Sequence, residues 1–277
     1  MRGLFCSSGV MVGRKSNYNY KYVEDYFPLL CRKGLLSGGE FIILGAFYDK
    51  LYEICNEIKN CDVLFDVLHC DKDIGIMFSE CDDKTSENAL ALFEENCRAA
   101  DILGCTRMVF HLWGGLKSDT RIEYNISLMP DVISIAKKHG LKLMIENIPS
   151  VRFSGLENQR KLLRFVPDIA FIFDVRFGAF HDEIEKTLND PLFDYVEHIH
   201  ISDYDAAPRD FSKIRPILHP TEGKINFAEL FSALEKKNYN GTFTLESPVM
   251  TDEGIDIDKL EKTLAYLNKN LKNYNLI

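Results

Sequence analysis

The sequence predicts a single (β/α)8 barrel domain over residues 1–277. Short apolar segments alternate with amphipathic segments along the whole chain, as in repeated βαβ units. Segments such as IAFIF and LKLMI are apolar on both faces, which is typical of parallel strands covered by helices. The length is also close to the roughly 250 residues of such a barrel. An open doubly wound sheet is the alternative, since it uses the same units.

Eight segments have the apolar content and length of strands. We expect these strands at Gly3–Ser8, Glu40–Phe47, Val63–His69, Arg107–Leu112, Lys142–Glu146, Asp168–Asp174, Tyr195–Ser202 and Thr242–Glu246. The helical patterns between them cover Tyr22–Cys31, Lys50–Lys59, Ser86–Leu103, Glu123–Lys138, Glu157–Phe165, Ala179–Leu188, Phe227–Lys237 and Lys259–Leu271. The seventh helix opens with Asn226, and Glu229 three positions later completes an expected N-terminal cap.

Composition favours a small-molecule substrate in a cytoplasmic protein. The formal net charge is −9, whereas nucleic-acid binding depends on Lys and Arg at phosphates, so we expect no nucleic-acid partner. No apolar run approaches the roughly 18 residues that span a bilayer, and the N-terminal segment lacks a signal-peptide core. All eight cysteines lie between Cys6 and Cys105 without a CxxC pair, and we expect them to be reduced core thiols.

Four consecutive predicted strands end in residues that bind metals. The fifth ends in Glu146, the sixth in Asp174, the seventh in His200 and the eighth in Glu246. Since strand carboxyl ends meet on one face of a barrel, these side chains are expected to converge. Carboxylates with an imidazole suit one divalent cation, Mn²⁺, Mg²⁺, Co²⁺ or Zn²⁺. Alternatively, each is an isolated strand-end residue that is bonded to a loop or to a basic neighbour.

Other histidines are secondary candidates for the same site. His69 and His111 end the third and fourth strands. Each is either a catalytic or substrate-binding residue, or a pocket histidine whose nitrogens are hydrogen-bonded within the protein. His198 shares the parity of His200 and should lie one layer deeper, in a structural or supporting role. His181 and His219 follow the sixth and seventh strands, and His219 is the better site candidate.

At these positions the chain resembles the xylose isomerase-like barrels, a family of sugar isomerases, sugar 3-epimerases and the endonuclease IV group. The segments that carry the resemblance occur in order over nearly the whole chain, and they are VFHLWGG, LMIENIPS, FIFDVRFGAFHD, VEHIHISD, HPTEGKINF and GTFTLESP. The resemblance implies that Glu146, Asp174, His200 and Glu246 bind the metal. It also implies that Glu146 and Glu246 act as the acid/base pair, and that His69 and His111 face the same pocket.

Several further residues are expected to contact substrate. Trp113 and Phe177 can form an apolar wall of the pocket or simply pack in loops. Arg209 lies in a rim loop where it can hold a phosphate or simply be solvated. His219 opens the segment that resembles the family's Gly-Glu-Gly loop, in which Thr221 replaces the first Gly. Phe177 stands where the family often has a His, and no Asp-x-His pair follows the seventh strand. A three-zinc DNA-repair site therefore looks incomplete.

The sequence thus favours a metal-dependent sugar isomerase or epimerase that transfers a proton next to a carbonyl through an enediolate. The expected partner is a small sugar or sugar phosphate, and the resemblance leaves a homo-oligomer open. Three alternatives remain. They are a metal-dependent lyase or dehydratase of a keto-polyol, an endonuclease IV-like DNA repair enzyme, and a site that binds sugar without turnover.

Overall fold

Within residues 2–277, which the computed structural model describes, eight parallel strands pair in chain order and close into a barrel. The first strand pairs with both the second and the eighth, so the predicted (β/α)8 fold is confirmed. The barrel strands are β1 Gly3–Ser7, β2 Gly38–Ile42, β3 Phe65–His69, β4 Arg107–Phe110, β5 Lys142–Glu146, β6 Ala170–Asp174, β7 Val196–Ile201 and β8 Thr242–Leu245. A small antiparallel hairpin after the barrel consists of β9 Met250–Thr251 and β10 Gly254–Ile255.

Helices surround the barrel and connect its strands. In the described chain they are α1 Lys21–Arg32, α2 Leu51–Lys59, α3 Lys72–Ser79, α4 Asp83–Leu103, α5 Ile122–Ser127, α6 Met129–Lys138, α7 Gly155–Phe165, α8 Val175–Phe180, α9 Ile184–Leu188, α10 Phe227–Lys236 and α11 Ile257–Asn273. Short 3-10 helices occupy Ser8–Val10, Arg14–Ser16, Gly45–Lys50, Pro191–Tyr195 and Phe211–Lys213. The predicted cap of α10 is present, because Asn226 accepts a hydrogen bond from the N–H of Glu229.

Two apolar layers follow from the alternation of side chains along each strand. One cluster fills the barrel interior and includes Phe5, Val67, Val109, Met144 and Ile172. The intervening residues face the helices and join the larger outer core. The next inward position on β3, β4, β5 and β6 lies two residues further along each strand, where the side chains are polar. The apolar interior therefore forms the floor beneath a polar layer at the carboxyl ends of the strands.

The elements differ from the sequence prediction in several places. The helix expected at Glu123–Lys138 is divided into α5 and α6, since Pro130 in the first turn of α6 has no N–H to donate. The helix expected at Ala179–Leu188 is divided into α8 and α9 around Asp182, which has a positive φ of 55°. The strand expected at Glu40–Phe47 ends at Ile42, because Gly45–Lys50 forms a 3-10 helix. Helix α3 and the β9–β10 hairpin were not predicted.

All eight cysteines are free thiols within residues 2–277, and five of them are buried. None of the helices in this described range is long and apolar enough to cross a membrane.

Candidate metal centre

The four predicted metal ligands come together at the carboxyl ends of β5, β6, β7 and β8. One ligand atom from each of Glu146, Asp174, His200 and Glu246 lies within 4.8 Å of the others. The first three side chains are almost completely buried, whereas the Glu246 side chain is 10% exposed. The expected convergence is therefore present, and it follows because each of these residues occupies an inward position at or next to the carboxyl end of its strand.

Opposite charges hold this group together. Nδ1 of His200 lies 2.9 Å from Oε1 of Glu146 and 3.6 Å from Oε2 of Glu246. Burial lowers the pKa of His200, but the neighbouring carboxylates of Glu246, Glu40 and Glu146 outweigh it and raise the pKa well above its usual range. Burial likewise raises the pKa of Glu146, and His200 and His111 outweigh it and lower that pKa.

The carboxylate of Asp174 indicates whether a cation fits among these four residues. Its Oδ1 accepts the N–H of Phe177 at 2.8 Å, while its buried Oδ2 has no hydrogen-bond partner among residues 2–277. Burial raises the pKa of Asp174 to about 7, Arg176 opposes this, and Glu146 and Glu246 add to it. A buried carboxylate oxygen without a partner is costly unless it binds a cation. The three carboxylates and one imidazole therefore fit a hard or borderline divalent metal.

A second donor group shares Glu146 with the first. Ligand atoms of His69, His111 and Glu146 also lie within 4.8 Å of one another. Nδ1 of His69 donates to the carbonyl of Cys70 at 2.9 Å, so its Nε2 carries the lone pair. That Nε2 is buried, has no hydrogen-bond partner in the described chain, and lies 3.8 Å from Oε2 of Glu146. Nε2 of His111 contacts the same carboxylate oxygen.

Sequence reasoning missed Glu40, which lies in the middle of β2 and is fully buried. Its Oε2 is 3.1 Å from Nε2 of His200 and 3.2 Å from Nε2 of His198. His198 lies one inward layer below His200, as its parity predicted. The sequence does contain a pattern that identifies Glu40, namely a carboxylate inside an apolar segment. Glu40 lies on the opposite face of the strand from the outer-core residues Phe41 and Ile43, so it points into the barrel.

The other predicted substrate contacts are engaged within the protein. Trp113 is fully buried and donates its indole N–H to Ser150. Arg209 donates to the carbonyls of Ser150 and Val151, and both ring nitrogens of the buried His219 contact oxygens, on Thr263 and Pro248. Phe177 is 8% exposed and its ring packs against the guanidinium of Arg176. A role in substrate binding stays a prediction for these four residues, which are Trp113, Phe177, Arg209 and His219.

The loop after β7 is organised by one buried carboxylate. Asp203 accepts backbone N–H groups from Tyr204, Thr221, Gly223 and Ile225 at 2.8–3.0 Å. Thr221 adopts a positive φ of 81°, the conformation that favours the Gly expected at this position. A Cβ on Gly223 would lie 2.4 Å from Oδ1 of Asp203, so that position requires glycine. The loop keeps its turn although its first Gly is replaced.

Comparisons with known proteins agree with this architecture. The sequence model of the xylose isomerase-like TIM barrel family matches residues 72–270. An uncharacterized protein of Methanocaldococcus jannaschii, MJ1311, is 26% identical over 167 residues, which cover 57% of this chain and 54% of that protein. The match therefore spans about half the length of this relative.

Solved structures share the fold at low sequence identity. A D-tagatose 3-epimerase-like protein is 19% identical with a TM-score of 0.68, and the match covers 99% of this chain and 98% of that one. The IolI protein with a bound zinc atom is 16% identical with a TM-score of 0.72 and the same coverage. The 3-keto-D-glucoside 4-epimerase of E. coli is 15% identical with a TM-score of 0.67, over 97% of this chain and 100% of that one. With the family match over more than half of its length, the chain belongs to the xylose isomerase-like TIM barrel family.

Proposed function

We propose that this protein is a divalent-metal-dependent sugar isomerase or epimerase. The observation that carries the proposal is the group of Glu146, Asp174, His200 and Glu246, whose ligand atoms lie within 4.8 Å of one another at the barrel mouth. The unpartnered Oδ2 of Asp174 within the described chain supports cation binding. Proteins of similar fold include structures described as sugar 3-epimerase-like and as a 4-epimerase, which supports the reaction class.

These four residues would hold the cation. When bound there, the cation supplies Lewis acidity that stabilises negative charge on substrate oxygens. The polar layer rests on the apolar floor of Val67, Val109, Met144 and Ile172, which excludes water from below. A substrate would therefore enter from the carboxyl ends of the strands, where the βα loops meet.

Glu146 and Glu246 are the proposed acid/base pair. They end β5 and follow β8, so they approach a substrate from different sides of the barrel mouth. Glu246 is the more exposed carboxylate and would accept the proton from a carbon next to a carbonyl. Glu146 would return a proton to the substrate after taking one up from solvent by way of His111, whose Nε2 contacts it, while His200 helps to hold its side chain in place.

Substrate binding is proposed first for His69 and His111, because both face Glu146. Phe177, Trp113, Arg209 and His219 belong to a second group of proposed contacts. Their loops would have to rearrange before Trp113, Arg209 or His219 could reach a sugar, since the polar atoms of these three already contact protein groups. Arg209 is the proposed contact for a phosphate group if the substrate is a sugar phosphate.

A two-metal phosphoesterase, as in the endonuclease IV alternative, is the second candidate. The observation in its favour is the group of His69, His111 and Glu146, since a carboxylate shared by two donor groups suits a pair of neighbouring cations. The net charge of −9 and the Phe177 side chain weigh against DNA as its substrate. A lyase or dehydratase would use the same proton abstraction and differs only in the bond that breaks next.

The test is solvent exchange with the metal-loaded protein. Protein loaded with Mn²⁺ or Co²⁺ is incubated in D₂O with a panel of ketoses and ketose phosphates, and products are followed by NMR. We expect deuterium at a carbon next to the carbonyl, together with an isomeric sugar. Loss of water from the substrate identifies a dehydratase, whereas nicking of abasic duplex DNA identifies the nuclease. Metal-loaded protein that exchanges no proton in any substrate contradicts the proposed reaction.

A further inference from the structure

Glu40 is a buried carboxylate that the proposed proton transfer does not use. It projects inward from β2 and contacts Nε2 of His200, whereas Glu146 and Glu246 lie beside Nδ1 of the same ring. Its side chain has no exposed surface, so water does not compete for its oxygens. A carboxylate in such a place needs a partner that can donate a hydrogen bond or carry positive charge.

The ring of His200 contacts different groups through its two nitrogens. Nδ1 faces the candidate metal site, 2.9 Å from Oε1 of Glu146, and Nε2 faces Oε2 of Glu40 at 3.1 Å. A histidine that binds a metal does so as a neutral imidazole, which has one N–H and one lone pair. An ionised carboxylate only accepts hydrogen bonds, so the N–H belongs on Nε2 when Glu40 is its partner. The lone pair is then on Nδ1, directed toward the site.

We propose that Glu40 is a positioning residue that fixes the tautomer and the ring orientation of His200 as a metal ligand. The inference rests on the proposed function, because it requires a cation at the four-residue site. Carboxylates that accept the second N–H of a ligating histidine typically contribute 10–100-fold to metal affinity. In this role Glu40 acts through the imidazole and is not itself a ligand, although one of its oxygens lies within 4.8 Å of ligand atoms of His69 and Glu246.

Further contacts position Oε2 of Glu40, whereas its buried Oε1 has no hydrogen-bond partner among residues 2–277. Nε2 of His198 lies 3.2 Å from the same Oε2 and 2.8 Å from Oγ1 of Thr244. His198 and His200 are alternate residues of β7, so their inward side chains lie in successive layers. The backbone of Glu40 pairs with Val67 on β3 and with Ser7 on β1. Sheet pairing therefore sets the height of the carboxylate relative to His200.

The test compares metal binding by wild-type protein, Glu40→Gln and Glu183→Gln. Gln at position 40 keeps the volume of the side chain but removes its charge and adds a competing N–H₂ donor. Glu183 is the matched control, since it is also a buried glutamate but accepts the N–H of Leu156 outside the candidate site. Each metal-free protein is titrated with Co²⁺, and binding is monitored by calorimetry and by visible absorption. The thermal unfolding of each protein is measured as well. Glu40→Asp, which retracts the carboxylate by one methylene, is measured in parallel in case the amide variant fails to fold.

We expect Glu40→Gln to weaken Co²⁺ binding about 10–100-fold and to alter the cobalt absorption spectrum, with the number of bound ions unchanged. Glu40→Asp should weaken binding in the same direction, and Glu183→Gln should match the wild type. Affinity within threefold of wild type in both Glu40 variants overturns the inference and leaves the metal site standing. Loss of a whole Co²⁺ equivalent also overturns it, because Glu40, His198 and His200 would then themselves be ligands. Wild-type protein that binds no Co²⁺ overturns both proposals, whereas metal binding without sugar turnover contradicts the reaction alone.

Discussion

His200 and Glu146 contact each other directly across the mouth of the barrel, with Nδ1 of one 2.9 Å from Oε1 of the other. Both are proposed metal ligands, and the carboxylates of Asp174 and Glu246 belong to the same group. Three carboxylates in so small a volume repel one another, and one imidazole balances only part of their charge. Binding of a divalent cation would neutralise this repulsion and replace the contact between His200 and Glu146.

Metal binding should therefore stabilise the folded protein. Because the four ligands converge only after folding, a free metal concentration of about 100 times Kd should add about 2.7 kcal/mol. For a protein of this size the unfolding temperature should rise by roughly 4–6 °C. Thermal unfolding with chelator and with increasing Mn²⁺ or Co²⁺ measures the change, and Asp174→Asn should reduce it. An unfolding temperature that does not depend on metal concentration contradicts the site.

Proton transfer by the two glutamates can be separated from metal binding by amide variants. In Glu146→Gln and Glu246→Gln the amide oxygen can still coordinate a metal weakly but cannot act as a base. At full metal loading we expect a remaining loss of about 10²–10⁴-fold in kcat. Asp174→Asn should recover more of its activity as metal is added. The measurement is kcat with metal content determined on the same samples, and near-wild-type rates in both loaded glutamate variants would show that they are only ligands.

Metal stoichiometry distinguishes this protein from a three-zinc nuclease. Because Phe177 occupies the position of a family histidine, we expect at most two metal ions per chain in protein saturated with Zn²⁺. We also expect no cleavage of an abasic duplex at physiological salt, given the net charge of −9. Elemental analysis and a gel-based nicking assay test both statements. Three zinc ions or specific nicking is the contrary result.

The loop after β7 should depend on Asp203. Asp203→Ala removes the acceptor of four backbone N–H groups, whose hydrogen bonds are buried or partly buried. Since hydrogen bonds to a charged group contribute about 1.5–3 kcal/mol each and add incompletely, we expect a loss of at least about 3 kcal/mol in unfolding free energy. Urea denaturation measures it. Asp205→Ala, an exposed residue two positions on, is the control and should change the stability by less than about 0.5 kcal/mol.

His181 should make the folded state sensitive to acid. Burial, with a smaller contribution from Arg209, lowers its pKa from 6.5 to about 4, and its Nε2 accepts the N–H of Ser150 at 3.1 Å. Folding therefore favours the neutral ring. Its contribution to stability is fully present above pH 6.5 and is lost as the pH falls toward 4, because the unfolded chain takes up a proton first. Urea unfolding at pH 7 and pH 5 should show a smaller loss in His181→Gln than in the wild type. An equal loss in both proteins would assign the acid sensitivity to other groups.

The sequence by itself determined the barrel and the four residues at its mouth. Alternating apolar and amphipathic segments specify parallel strands and covering helices, and the last inward residue of each strand is then set by a period of two. Glu146, Asp174, His200 and Glu246 could be identified in this way without knowing any contact. The cap formed by Asn226 is local as well, since donor and acceptor are three residues apart.

Only the tertiary structure decided which side chains meet across the barrel. Glu40 and His200 are 160 residues apart, and their contact depends on strand register and on the stagger of the closed sheet. Neither quantity can be read from a single segment. The same reason applies to Glu146, which His69 and His111 approach from one side and His200 from the other. Periodicity determines the direction of a side chain from its own strand, whereas the partner it meets depends on the pairing of every strand between them.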